Sequence, residues 1–170
     1  HIWLDPLSAK AQVSNILNAF VNADPSNATA YQQNADDLMS RLDGLDQEFA
    51  NGLANRTKNA IITTHEGFNY LAQRYDFDAY AAIGISADAQ PSAADLAALA
   101  DKVNDLGLNY VFSEPIFSDR VIDTIARETG AQVLVLDGIH GRTGVHANMD
   151  YFEIMRANLE SLKVGLEVAP

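Results

Sequence analysis

A chain of 170 residues, of which 48% are hydrophobic and 20% are charged, has the composition of an ordinary globular protein, which excludes the disordered and collagen-like classes. Its 11 basic and 23 acidic residues give a net charge of -12, and this charge would repel a nucleic-acid backbone, so we expect no nucleic-acid partner. The sequence contains no cysteine, so a metal site would need nitrogen and oxygen ligands.

The first part of the chain predicts two helices. An apolar opening run, 1–4, has the character of a strand end, and Asp5-Pro6 can then cap a helix that continues to about Ala23. Asp24-Pro25 begins a second helix, in which apolar residues recur in steps of three and four: Tyr31, Ala35, Leu38, Leu42, Leu45, Phe49 and Leu53. At 1.5 Å per residue this helix spans roughly 40 Å, which suits a strut between two lobes.

From Lys58 onward, short β-branched runs alternate with helical segments. We predict strands at 59–64, 80–85, 110–113 and 132–137, and helices at 67–75, 92–106, 118–129 and 150–166. Strands that are almost entirely apolar and are separated by helices indicate a parallel sheet covered on both faces. The sequence therefore predicts an α/β fold with a four-stranded parallel sheet flanked by helices and preceded by one long helix.

Polar residues follow the predicted strands at the edge where such sheets bind ligands, beyond the carboxyl ends of the strands. They are His65 and Glu66, Ser86, Glu114 and Asp137. Of these, His65 and Asp137 are candidate metal ligands, and His1 in the opening run is a third. A mixed set of imidazole and carboxylate ligands suits zinc and also admits manganese or iron.

Each candidate also has an explanation that needs no metal. A histidine after a strand is often a helix cap or a surface residue, Asp137-Gly138 is a common turn pair, and Glu114 can favour the start of the next helix. His140 and His146 lie in the irregular loop 138–148, where they are either extra ligands or free side chains. The sequence has no glycine-rich phosphate loop, no G-x-S-x-G elbow and no H-E-x-x-H helix, which removes most of the support for an enzyme.

Five segments, taken together and in order, resemble one family, the periplasmic or lipid-anchored solute-binding proteins that serve zinc and manganese ABC importers. The segments are HIWLDP at 1–6, TTHEGFNYL at 63–71, GIS at 84–86 with QPS at 90–92, VFSEP at 111–115, and VLVLD at 133–137. Their order and spacing agree with that family over nearly the whole chain.

The resemblance implies a protein of two lobes joined by one long helix, with a single metal ion held between the lobes. It implies that residues 1–24 are a strand end and helix of the first lobe, 25–57 the linker helix, and 58–170 the second lobe, so we expect the chain to be part of a larger protein. The family's ligands fall on His1, His65 and Asp137, with a further histidine from the first lobe. Histidine at position 65 favours zinc, with manganese as the alternative, and in some zinc members the position of Asp137 supplies no ligand.

The function that the resemblance implies is capture of the ion outside the cytoplasm, in a periplasm or on a lipid anchor, and delivery to an ABC permease, without catalysis. Two other functions stay open: a flavodoxin-like domain that binds a nucleotide or cofactor at the same strand ends, and a surface adhesin. Because the first two helices would present uncovered apolar faces in the absence of the first lobe, we also expect a homodimer or a swap of N-terminal helices.

Overall fold

The computed structural model describes residues 1–85, 91–141 and 144–169. Over these ranges the chain forms six α-helices and four strands. In chain order they are α1 (Pro6–Ala23), α2 (Ala28–Gly52), β1 (Ala60–His65), α3 (Asn69–Arg74), β2 (Asp78–Ile83), α4 (Ala93–Asp105), β3 (Tyr110–Ser113), α5 (Arg120–Thr129), β4 (Gln132–Val135) and α6 (Tyr151–Gly165). Three short 3-10 helices, Ile2–Leu4, Pro25–Asn27 and Gly144–His146, complete the regular structure of these residues.

The four strands form one parallel sheet in the order β2-β1-β3-β4, which confirms the predicted α/β fold. In the register of the sheet, Thr63 of β1 lies beside Phe112 of β3, and Phe112 lies beside Leu134 of β4. β1 and β3 are therefore the central strands, and β4 is an edge strand among the described residues. All four carboxyl ends meet at one edge of the sheet.

Both faces of the sheet are covered, because alternate residues of a strand point to opposite faces. In β1, Ile61 joins a core with residues of α2, α3 and α6, whereas Ile62 joins a second core with residues of α4 and α5. Every residue of β1 is buried. This burial on both sides explains why the strand has no alternation of polar and apolar residues.

The predicted long helix is present, with a small change at its start and end. Pro25–Asn27 form a 3-10 turn, and the α-helix then continues through Ala28–Gly52. Leu42, Leu45 and Phe49 bury this helix in the core against the sheet.

The N-terminal half of α2 packs against α1 and leaves an apolar groove between the two helices. Ile16 and Phe20 of α1 are each 54% exposed beside this groove. The homodimer or helix swap, which would cover such a surface, stays a prediction that sedimentation velocity at high protein concentration would check.

The opening run corrects one expectation, because it forms a 3-10 helix and not the end of a strand. The Leu4 N–H donates to the His1 carbonyl at 3.1 Å, and the Asp5 N–H donates to the Ile2 carbonyl at 3.2 Å. Asp5 then caps α1 by accepting from the Leu7 N–H, and its carboxylate also accepts two hydrogen bonds from Arg74 of α3. The Asp5 cap and its ion pair with Arg74 hold the run beside α3, which favours the 3-10 turn over a strand end.

Burial raises the pKa of Asp5, but the bonds from Arg74, Ser8 and Leu7 outweigh this effect and leave the pKa below its ordinary value. The Asp5–Arg74 pair therefore keeps its charge at neutral pH and ties the opening run to α3. None of the helices in the described ranges is long and apolar enough to span a membrane.

Candidate metal centre

Three histidine side chains meet at the carboxyl edge of the sheet. His65 ends β1, His1 precedes the first 3-10 helix, and His140 lies in the loop after β4. One ring nitrogen from each lies within 4.8 Å of the other two, and Nε2 of His65 is 2.9 Å from Nε2 of His1. Zinc–nitrogen bonds are about 2.0 to 2.1 Å long, so three imidazole nitrogens this close together can converge on one ion after small rotations of the rings.

His65 is the most firmly held member of the group, because it is only 1% exposed and Glu114 binds it twice. Oε1 of Glu114 accepts from the His65 backbone N–H at 3.0 Å and lies 2.6 Å from Nδ1 of the His65 ring. The Phe117 ring packs against the other side, with the ring centroids 4.8 Å apart. In the tautomer that has its proton on Nδ1, the ring donates to the Glu114 carboxylate, and Nε2 faces His1 without a proton.

Gly67 makes the close approach of His65 and His1 sterically feasible. A Cβ atom at this position would lie 2.5 Å from Cε1 of His65 and 3.2 Å from Cδ2 of His1. A Cβ contact of 2.5 Å is essentially never seen in real structures, so only glycine fits here without displacing the His65 ring. The Gly67 N–H also donates to the His65 carbonyl at 2.9 Å, which closes the tight turn after β1.

His1 is positioned through Trp3, which anchors the opening run to the opposite side of the site. The Trp3 indole N–H donates to the Gly138 carbonyl at 2.9 Å, and the Tyr151 hydroxyl donates to the Trp3 carbonyl at 2.8 Å. The His1 ring lies against the Trp3 ring, with 4.9 Å between centroids. The apolar opening run therefore links α6 and the loop after β4 to the histidine group.

Asp137, the third ligand that the sequence predicts, is not part of the histidine group. It is 3% exposed, and both of its carboxylate oxygens are used: Oδ2 lies 3.0 Å from Nδ1 of His146, and Oδ1 accepts from the Ile139 N–H at 2.8 Å. Its backbone N–H and carbonyl are bound by the side chain of Asn158. These partners hold the carboxylate inside the fold.

His140 is the third member of the histidine group, at the end of the sheet where the family resemblance implies Asp137. The turn that presents it includes Ile139 at φ 55°, a left-handed conformation that β-branched residues rarely adopt, and the Asp137 carboxylate stabilises this turn. Partial burial and the nearby His65 lower the pKa of His140, although Glu114 and Asp137 oppose part of this shift. A lowered pKa favours the neutral imidazole, which is the form that binds a metal ion.

The structure thus brings together two of the three predicted ligands, His1 and His65, and adds His140, whose role the sequence left open. The signal for His140 was its place in the loop that leaves the carboxyl end of β4. Glu114 lies behind His65 and not in the ligand group. His146 pairs with Asp137.

The surroundings of the group are mostly apolar. Exposed side chains of Ile85 and Ile116, 72% and 47% accessible, border the three histidines together with Phe117. Of the other strand-end candidates, Glu66 is exposed and accepts a hydrogen bond from Asn69. Ser86 lies outside the described residues.

Comparison with known proteins finds that the sequence matches one family. Residues 1–165 match the family described as ZnuA, zinc-uptake complex component A periplasmic. The chain is 34% identical over 170 residues to the high-affinity zinc uptake system protein ZnuA of Bacillus subtilis, covering 99% of this chain and 53% of that protein. It is 33% identical over 171 residues to the zinc-binding protein AdcA of Streptococcus pyogenes serotype M1, covering 99% of this chain and 33% of that protein.

A solved structure agrees with this match. The laminin-binding protein Lbp of Streptococcus pyogenes superposes with a TM-score of 0.90 at 29% identity, over 98% of this chain and 65% of that chain. The chain therefore spans between a third and two thirds of the length of these three proteins.

Proposed function

The chain belongs to the family of the periplasmic zinc-uptake complex component A, and from this premise we propose that it captures a zinc ion with His1, His65 and His140. The observation that carries the proposal is the convergence of three imidazole nitrogens within 4.8 Å. Nitrogen ligands favour zinc over manganese, because manganese prefers oxygen ligands. We therefore propose zinc, with manganese as the less favoured alternative. Three protein nitrogens leave the fourth position of a tetrahedral zinc ion available to another ligand.

Asp137 has a different role in this proposal from the one that the resemblance implies. Its carboxylate holds the turn at Ile139 and pairs with His146, so it supports the presentation of His140. Both carboxylate oxygens therefore already have partners inside the fold. We therefore assign it to the turn and assign the third ligand position to His140.

The wider role that we propose is capture of zinc outside the cytoplasm, in a periplasm or on a lipid anchor, and transfer to an ABC permease, without catalysis. The similarity to a zinc uptake system protein and to a zinc-binding protein supports it. Within this proposal, residues 58–170 are the metal-binding lobe, 25–57 the linker helix and 1–24 the last part of another lobe. The packing of α2 against the sheet core supports a rigid connection between lobes.

The test is calorimetric titration of the chelator-treated chain with zinc and with manganese, for the wild type and for His65→Ala. We expect tighter binding of zinc than of manganese, and a loss of zinc affinity in His65→Ala that exceeds the roughly 10- to 100-fold loss typical of changes behind a metal ligand. Glu66→Gln is the matched control, because Glu66 is the exposed neighbour of His65 and lies outside the group. Zinc binding that survives His65→Ala would contradict the assignment.

A second candidate function is adhesion, which the similarity to a laminin-binding protein favours. Zinc capture and adhesion can be separated with the same variant. Binding to immobilised laminin by both the wild type and His65→Ala would indicate an adhesive surface that does not depend on the ion. No binding by either chain would leave zinc capture as the single proposal.

A further inference from the structure

We propose that Glu114 is a positioning residue for zinc capture, which orients the His65 ring for the ion and supplies negative charge directly behind it. This inference rests on the zinc site proposed above. Glu114 itself lies in the layer behind the ligands, and it acts on the ion through His65.

The first support is the geometry of the contact. Glu114 follows directly after β3, the strand that pairs with β1, so the sheet itself sets the distance between Glu114 and His65. One oxygen, Oε1, accepts from both the backbone N–H and the ring Nδ1–H of His65. Because the same oxygen binds both the backbone and the ring of His65, the ring cannot rotate without breaking one of the two hydrogen bonds. Glu114 therefore restricts rotation of the His65 ring.

The second support is the burial of a charged group with little to balance it. Glu114 is 1% exposed, and within the described ranges the side chain that it contacts through hydrogen bonds is His65. A buried carboxylate is unfavourable unless a positive charge balances it, and a neutral His65 ring supplies hydrogen bonds but no such charge, so packing alone does not explain an acidic side chain at this place. A cation bound at the far nitrogen of His65 would supply the missing balance.

The third support is what the ligand group lacks. Three neutral imidazoles carry no negative charge, so a zinc ion bound to them keeps both of its positive charges in a partly buried site. Glu114 offsets one of these charges through the His65 ring, and a carboxylate that accepts from Nδ1–H makes Nε2 a stronger donor to the metal. The same bond selects the tautomer in which Nε2 is unprotonated.

The first experiment compares Glu114→Gln with the wild type in competition titrations against a chromogenic zinc chelator. Glutamine keeps the shape and the acceptor oxygen but removes the charge, and we expect zinc affinity to fall by about 10- to 100-fold. Glu48→Gln is the control, because it removes the same charge from an exposed pair between α2 and Arg156 of α6, and we expect it to bind zinc as the wild type does. Equal affinity in Glu114→Gln and the wild type would overturn the role of Glu114 alone, whereas a wild type that binds no zinc would overturn the zinc site as well.

The second experiment needs no variant, and so it decides the question even if Glu114→Gln does not fold. Long-range ¹H–¹⁵N correlation spectra of the wild-type histidine rings report which nitrogen carries the proton. We expect His65 to be protonated at Nδ1 both before and after zinc is added, with the ¹⁵N shift of Nε2 changing on binding. A His65 ring protonated at Nε2 in the zinc-bound chain would overturn the proposal.

Discussion

The end of β1 and the segment after β4 each hold a residue that the sequence predicts as a ligand, but the two positions behave differently. At β1 the strand-end residue, His65, is itself in the site. At β4 the strand-end acid, Asp137, turns into the fold, and the site receives His140 from three residues further along. A strand end therefore predicts where a side chain starts, whereas its hydrogen-bond partners decide where the side chain points.

The difference follows from the neighbours of the two strands. β1 is paired on both sides, and Glu114 at the end of β3 reaches directly to His65. β4 pairs with β3 alone among the described strands. The chain beyond β4 packs against α6, where the side chain of Asn158 binds the backbone of Asp137. His65 at the end of β1 is buried and held by Glu114, whereas His140 after β4 is exposed.

The largest effect that we predict from this contrast is that of Gly67→Ala. Its Cβ would lie 2.5 Å from a His65 ring that Glu114 prevents from moving aside. Displacement of a reacting group by about 1 Å costs roughly 100-fold in an active site, and we expect zinc affinity to fall by about that factor. Titration calorimetry measures it, and a thermal melt of the metal-free chain checks that the fold is retained. Affinity within about threefold of the wild type would contradict the rigid placement of His65.

His140→Ala should have a smaller effect. The His140 side chain is exposed and follows the strained residue Ile139. Fixing this side chain on zinc binding costs conformational entropy, which offsets part of the free energy gained from its bond to the ion. We expect a loss of about tenfold in zinc affinity, or ~1.4 kcal/mol. Competition titration at a fixed pH measures the loss. An effect as large as that of His65→Ala would show that the two strand ends contribute equally.

Gly138→Ala is the counterpart of Gly67→Ala at the other strand end. Its Cβ would lie 2.7 Å from Nε2 of His140 and 3.2 Å from Oε2 of Glu114. Because the exposed His140 side chain can move away at little cost, we expect zinc affinity to fall by about threefold. The ratio of the zinc affinities of the two glycine variants, measured side by side, tests directly whether His65 is held rigidly while His140 can adapt. Equal losses in the two variants would remove the distinction.

Asp137→Asn should have the smallest effect on zinc. The amide oxygen can still accept from the Ile139 N–H, so the turn that carries His140 is kept, and we expect zinc affinity to stay within about twofold. The fold should lose about 1 kcal/mol, because a hydrogen bond to a charged acceptor is stronger than one to a neutral amide. Urea unfolding measures the stability, and titration measures the affinity. A loss of zinc binding comparable to that in His65→Ala would restore Asp137 as a ligand.

Much of the molecule is predictable from local sequence. The all-apolar runs of β1 and β3, and the helical spacing of Leu42, Leu45 and Phe49, determine the sheet and the long helix, because burial on both faces or on one stripe leaves a direct mark on residue order. His1 was found through the resemblance of the opening segment to one family, and His65 was also within reach, since it ends such a strand. The opening run was not, because four apolar residues fit a strand end and a 3-10 turn equally well, and the cap at Asp5 decided between them.

What only the tertiary structure decided is the direction of side chains at the site. Asp137 and His140 lie three residues apart in one irregular loop, and no periodic pattern distinguishes the side chain that meets His1 and His65 from the one that is buried in the fold. The position of the Asp137 side chain depends on its contacts with Asn158 and His146, and neither of these residues follows a strand in the sequence. Glu114 likewise gains its role from the pairing of β3 with β1, a contact across 49 residues, because hydrogen bonds between remote segments leave no periodic trace in the sequence.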